Sequence, residues 1–306
     1  MKKLSILLFF TIIACAGYSQ SDVQFTHYMY NKLSYNPAYT GSKGTFDLLG
    51  LFRKQWTGID GAPTTASFSL HAPFSDGRNA MGINLTADEI GKVKTTAIDL
   101  FYAYHIKINE TSKLSIGLQG RIEQAKINWR KADPFDLVDD FIPGANESSF
   151  APNFGLGAYY YSNNYFVGIS VPRLLKNTLF LDRSGTEIEK ASTLTSYVTA
   201  GVITKLTKNV KFIPSFLLTY NKNAPVDLDL NANFILMDKI IAGLSYRLAD
   251  SVDGLIGFQF TNGMRLGMAM DFTTSELEKF TTGSFEIMLG YTFKCKDCSV
   301  NHLRYF

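Results

Sequence analysis

The chain has 306 residues, of which 46% are hydrophobic and 14% aromatic, with 30 Lys+Arg against 27 Asp+Glu and a formal charge of +3. Its 24 Phe, 16 Tyr and 2 Trp exclude a disordered chain. The charge balance excludes a dedicated nucleic-acid binder, and no uncharged apolar run beyond the first 20 residues is long enough for a membrane helix.

Residues 1–19 read as a secretory signal, with Lys2 and Lys3 ahead of an apolar stretch from Leu4 to Ala14 and a small-x-small cleavage site at Gly17-Tyr18-Ser19. The mature chain then starts near Gln20. Ile12-Ile13-Ala14-Cys15 also passes as a loose lipobox, so a lipoprotein is the competing reading.

Residues 20–43 are rich in aromatics and turn-formers and do not alternate. Pro37 fixes its own φ and biases Asn36 toward extended backbone, while Gly41 suits a turn. Such a segment needs burial, which a plug inside or under a barrel would supply, as would docking to a periplasmic partner.

From residue 44 onward the pattern has period two. The clearest run sets Leu228, Leu230, Ala232, Phe234 and Leu236 against Asp227, Asp229, Asn231 and Asn233, an arrangement for a two-faced strand and not for a helix. Fourteen runs qualify: 44–56, 64–73, 79–88, 94–107, 113–129, 151–161, 164–172, 195–206, 210–221, 226–236, 239–249, 253–262, 264–273 and 283–294. In 44–56 and 195–206, apolar residues occur on both faces. Most runs have the length of a tilted membrane-spanning strand, about 9–11 residues or more, and exceed the about 5–6 of a soluble one. Connections alternate too, with short ones such as 108–112 and 237–238 at one end and long ones at 130–150, 174–194 and 274–282. That asymmetry predicts an outer-membrane antiparallel β-barrel of fourteen strands over 44–294, with short periplasmic turns and long extracellular loops.

The same alternation assigns faces. Tyr102, Tyr104, Tyr246, Tyr291 and Phe293 suit interfacial girdles. Asp99, Gln119, Arg121, Glu123, Asp227, Asp229, Asn231, Asn233, Arg247, Arg265 and Asp271 point inward, and charges of both signs suggest a cross-linked, hydrated lumen. The tail 295–306 is read as periplasmic. Its Cys295 and Cys298 form a lone CxxC, open to a small disulfide loop, free thiols or half of a metal site with His302. No metal or cofactor site is assigned.

The run Phe25-x-x-Tyr28-Met29-x-Asn31, then Asn36-Pro37-Ala38-Tyr39-x-Gly41, Arg53-Lys54-Gln55-Trp56-x-Gly58 and Gly61-Ala62-Pro63-Thr64-Thr65, closely resembles the PorP/SprF family of type IX secretion outer-membrane proteins. The resemblance implies secretion or surface anchoring of a partner carrying a type IX C-terminal sorting domain, such as a gliding adhesin, with periplasmic secretion-system components and membrane lipids as further partners. The residues expected to form the plug and its seat, or to bind the partner, are Tyr28, Asn31, Asn36, Pro37, Tyr39, Gly41, Arg53, Gln55 and Trp56. The expected mechanism is protein–protein binding without covalent chemistry.

Three other classes fit parts of the pattern. A plugged fourteen-stranded channel for hydrophobic or small solutes shares the architecture. A barrel hydrolase could draw on inward Ser67, Ser69, His71, Asp99 and His105, but Asp99 lies about 20 Å along its strand from His105, beyond the hydrogen-bond contact a nucleophile–base–orienter set needs. A soluble β-sandwich adhesin conflicts with the strand lengths.

Overall fold

The structure, a computed structural model, describes residues 23–128, 147–175, 180–181, 187–189, 194–222 and 224–293. The expected signal segment with Cys15, the centre of the 130–150 loop, and the tail with Cys295 and Cys298 lie outside the described residues.

Fourteen antiparallel strands close on themselves. In chain order they are β1 Asp47–Lys54, β2 Thr64–Pro73, β3 Asn79–Ile90, β4 Val93–Lys107, β5 Lys113–Ile127, β6 Glu147–Tyr161 and β7 Tyr165–Arg173. They continue as β8 Thr195–Val202, β9 Val210–Asn221, β10 Asp227–Leu236, β11 Ile240–Arg247, β12 Ser251–Gln259, β13 Met264–Thr273 and β14 Ser284–Thr292. Each pairs with its chain neighbours, and β1 closes the barrel on β14 in a register from Asp47↔Thr292 to Lys54↔Phe285. Phe180–Leu181 pairs with Glu187–Glu189 outside the wall, and Thr204–Lys205 adds a short extension against β9.

Side chains alternate as period two demands. On β4, Ile98 and Leu100 are 47% and 59% exposed while Asp99 and Phe101 are both 2% exposed. An apolar outer face on a closed sheet satisfies every backbone group internally, which is what a bilayer requires of a spanning structure. The wall is uneven. β4, β5 and β6 have 15 residues each, whereas β8 and β11 have 8.

The lumen differs from the hydrated interior expected of it, because much of it is an apolar core. Phe25, Tyr28, Met29 and Tyr35 pack with Leu49, Leu51, Tyr197, Leu217, Leu255 and Met288. Lower down, Leu33, Ala38 and Tyr39 pack with Phe101, Tyr159, Phe166, Ile213, Ile235 and Ile241. This accounts for the two-sided apolar pattern of β1 and β8: one face meets lipid and the other meets the N-terminal segment.

Candidate functional site

The N-terminal segment threads the barrel lengthwise. With β1 ascending from the end that carries the short turns, odd-numbered strands rise toward the long-loop end and even-numbered strands descend. Gln24 donates through Nε2 to Asp227 Oδ2 at 2.5 Å, at the upper start of β10. Lys43, nineteen positions later, pairs at 2.7 Å with Asp47 at the lower start of β1. Between them the segment meets the inner wall level by level.

Near the upper end, Arg53 is 1% exposed and organises a charge network. Its Nη2 donates to Asp271 Oδ2 at 2.6 Å, and its Nη1 donates to Thr26 Oγ1 at 2.6 Å and to Glu286 Oε2 at 3.3 Å. The same carboxylates bind the segment directly. Thr26 Oγ1 donates to Asp271, and the amides of Thr26 and His27 donate to the two Glu286 oxygens at 2.9 Å each. His27 Nδ1 lies 2.7 Å from Glu286 Oε1.

At mid-depth the Tyr28 hydroxyl donates to the Ser215 carbonyl at 3.2 Å, and Ser170 Oγ donates to the Tyr35 carbonyl at 2.6 Å. Asn31 and Asn36 head two successive 3-10 turns, Lys32–Ser34 and Pro37–Tyr39. Asn36 does so by accepting the Ala38 N–H at 2.9 Å, with Pro37 in the first helical position, where its missing N–H costs nothing. The other end of the Asn36 amide donates to the wall carbonyl of Ala158 at 3.1 Å.

This close approach needs glycines in the wall. Gly117 and Gly157 face each other across β5 and β6, and a Cβ on either would run into Ala38 backbone or the Asn36 side chain. On β7, a Cβ at Gly168 would lie 2.8 Å from Asn36 Nδ2.

At the lower end, Gly41 takes φ +73°, and a Cβ there would overlap the Cβ of Ala80. Its N–H donates to His71 Nδ1 at 3.0 Å, while His105 Nε2 meets the Thr40 carbonyl at 2.9 Å and His105 Nδ1 meets the Tyr161 hydroxyl at 3.0 Å. Since a carbonyl only accepts, His105 Nε2 carries a proton. Tyr39 stands edge-on to His71 and Tyr159, with centroids 5.3 and 5.5 Å away. Arg265 adds a second cation on Asp47 at 2.6 Å.

The sequence-predicted residues therefore fall into three places. Tyr28, Asn31, Asn36, Pro37, Tyr39 and Gly41 are inside the lumen, with Arg53 among the wall residues that touch the segment. Gln55 and Trp56 lie elsewhere, because β1 ends at Lys54 and the chain turns into the upper connection 55–63, where Gln55 N donates to Pro63 O and Trp56 N to Ser284 Oγ. The lumen polar residues form further networks. Arg121 bridges Asp99 at 3.0 Å and Glu123 at 2.6 Å, and Arg247 Nε donates to Asp229 at 2.7 Å. Sequence reasoning missed Thr26, His27 and Glu286; a lone carboxylate at an inward position of the apolar last strand was the available signal.

His71 and His105 bind the segment's backbone, and Ser67 Oγ bonds Asn84 Oδ1 at 2.9 Å. None of these bonds is a serine–histidine contact.

Residues 17–291 match the model of the family described as type IX secretion system membrane protein PorP/SprF. The chain belongs to the PorP/SprF family. As a PorP/SprF protein with this wall, it is an outer-membrane β-barrel of the type IX secretion system, a class of secretion and membrane proteins and not an enzyme class. Among solved structures it is similar to the CymD monoaromatic hydrocarbon channel, at 12% identity over 87% of this chain and 93% of that one, with a TM-score of 0.55. It is also similar to the TodX deltaS2S3 mutant monoaromatic hydrocarbon channel, at 10% identity over 92% and 98% of the two chains, with a TM-score of 0.53. At these identities the likeness is one of barrel fold. No curated protein matches the PorP/SprF chain.

Proposed function

We propose that this barrel supports secretion or surface anchoring of a partner that carries a type IX C-terminal sorting domain, such as a gliding adhesin, through protein–protein contacts at its extracellular end. The observation that carries this reading is the seated N-terminal segment. A lumen filled by an apolar core and fixed by buried ion pairs at both ends suits an anchor better than an open conduit.

The extracellular connections support the same reading because they are tied together into a platform. Thr57 N donates to Gly283 O at 2.8 Å, Thr282 N returns a bond to Thr57 O at 2.9 Å, and Gly91 N donates to Gly61 O at 2.8 Å. On this platform Phe280 is 69% exposed and Trp56 holds a left-handed φ of +45°. Pre-organised loops with exposed aromatic surface are suited to binding protein. Periplasmic secretion-system components would meet the opposite, short-turn end.

Two measurements test the reading together. Affinity capture from crosslinked, solubilised membranes should recover a secreted protein with a C-terminal sorting domain. In planar bilayers the purified barrel should show no steady conductance. A constant open-pore current, with no such protein captured, would favour the channel reading, to which the fold likeness to hydrocarbon channels lends the architecture.

A further inference from the structure

A cavity of about 370 Å³ opens at the extracellular end, between residues 224–226 and 248–250. Val23, Tyr197, Leu217, Val226 and Leu248 give it an apolar wall, and Asp227, Asp229 and Asp250 face it from the rim. The volume is at the lower end of the range for ligand pockets, about 300–1,000 Å³.

Its electrostatics are unbalanced. Arg247, 1% exposed, is shared by Asp229 at 2.7 Å and Asp250 at 3.5 Å. Asp227 Oδ2 accepts the neutral side-chain amide of Gln24 at 2.5 Å. One strand further round, Asp253 is fully buried; Ser251 Oγ donates to its Oδ1 at 2.6 Å, and its Oδ2 has no hydrogen-bond partner. Asp253 sits directly across β12–β13 from Asp271, whose carboxylate Arg53 already occupies. Three carboxylates, those of Asp227, Asp229 and Asp250, thus face the cavity, and Arg247 is bonded to two of them and not to Asp227.

We propose that this cavity receives a lysine or arginine side chain from an extended segment of the secreted partner. The proposal rests on the anchoring role above and supplies the chemistry of one contact. Such a side chain has the required two parts, an aliphatic stem for the apolar wall and a cationic head for the aspartates. A neutral aromatic solute would fill the wall and leave the carboxylates uncompensated. A bare divalent ion would waste the apolar wall, and among the described residues no three His, Cys, Asp or Glu side chains are grouped so that they could hold one.

The test uses the full mature chain in nanodiscs and fluorescently labelled pentapeptides, Gly-Leu-Arg-Leu-Gly and its counterpart with citrulline, the uncharged isostere of arginine. The arginine peptide should bind roughly tenfold more tightly, with the difference shrinking as salt rises. The double variant Asp227→Asn, Asp250→Asn should abolish that preference, while Asp99→Asn, in a separate network, should leave it unchanged. Heat-modifiable electrophoretic mobility checks that each variant is folded. Equal affinity for both peptides would overturn the proposal, as would an unaltered preference in the double variant. Binding of n-hexylguanidinium without either peptide would also overturn it, in favour of a small-molecule site. If the wild-type barrel captures a secreted partner and the double variant captures it equally well, the cavity assignment fails while the anchoring role stands.

Discussion

Arg53 on β1 and Asp271 on β13 are joined at 2.6 Å although β14 lies between their strands. The bond reaches over Glu286, the β14 residue paired with Arg53 in the closing ladder, and Thr26 is hydrogen-bonded to all three. Barrel closure and seating of the N-terminal segment therefore share one set of side chains.

Arg53→Ala should expose that coupling. Removing one member of a buried charge network costs about 3–5 kcal/mol, because the remaining carboxylates stay buried without their cation. The expected outcome is a barrel that still inserts and shows heat-modifiable mobility, with a lower unfolding midpoint and protease cleavage within residues 24–43. Display of the surface partner should fall as well. Normal display would sever Arg53 from function. A cycle with Glu286→Gln should be non-additive, since the two side chains touch the same threonine.

The glycine seat offers a steric test. Gly157→Val places a side chain where the Asn36 amide now sits, and should displace Pro37 and Ala38 without disturbing the outer face. Hydrogen exchange should then lose protection at Ala38 and Gly41 while the β5–β6 amides keep theirs. Retained protection at Gly41 would mean that the wall yields instead of the segment.

Deletion of residues 24–43 should convert the barrel into a conducting pore. It removes the segment's share of the apolar core together with Lys32 and Lys43, and leaves the inward carboxylates Asp47, Asp271 and Glu286 outnumbering their remaining partners Arg53 and Arg265, so the pore should prefer cations. Single-channel recording decides: silence from a folded deletion variant would show that other parts of the chain close the lumen.

His71 should behave as an acceptor for backbone. His71→Leu leaves the buried Gly41 N–H without a partner, at a cost of about 1–3 kcal/mol, whereas His71→Gln keeps an acceptor and should recover much of the loss in thermal unfolding. Loss of function in a stable, fully seated His71→Gln barrel would revive the hydrolase reading.

Trp56 should separate stability from binding. Its left-handed backbone costs of order 1 kcal/mol for a residue with a Cβ, so Trp56→Gly should leave the unfolding midpoint unchanged or raise it. Partner capture should decline, because the platform loses its indole. Undiminished capture would remove Trp56 from the contact surface.

The wall was legible because lipid on one side and polar groups on the other impose period two on each strand; β2, β9 and β13 have the bounds the pattern predicts. Membership of the segment was legible at Asn36, Pro37 and Gly41, whose backbone demands are local. Its anchors were not. Thr26 meets Glu286 across 260 positions of sequence, a contact that exists only once β1 has closed on β14. The turn at Gln55 and Trp56 was hidden for a similar reason, since the upper connections fix one another across the barrel mouth.

The lengthwise course of the segment has a mechanical consequence. Among the described residues its covalent tie to the wall is at the lower end, through residues 44–46, so a pull on that hinge would load the contacts in series. The Lys43–Asp47 pair would yield first, then the Gly41–His71 bond, then the Asn36 amide, then the Arg53 network, with Gln24–Asp227 last. A cord held this way can be drawn out without unpairing a single strand, and a partner that grips the lower hinge would feel a graded resistance set by these five contacts.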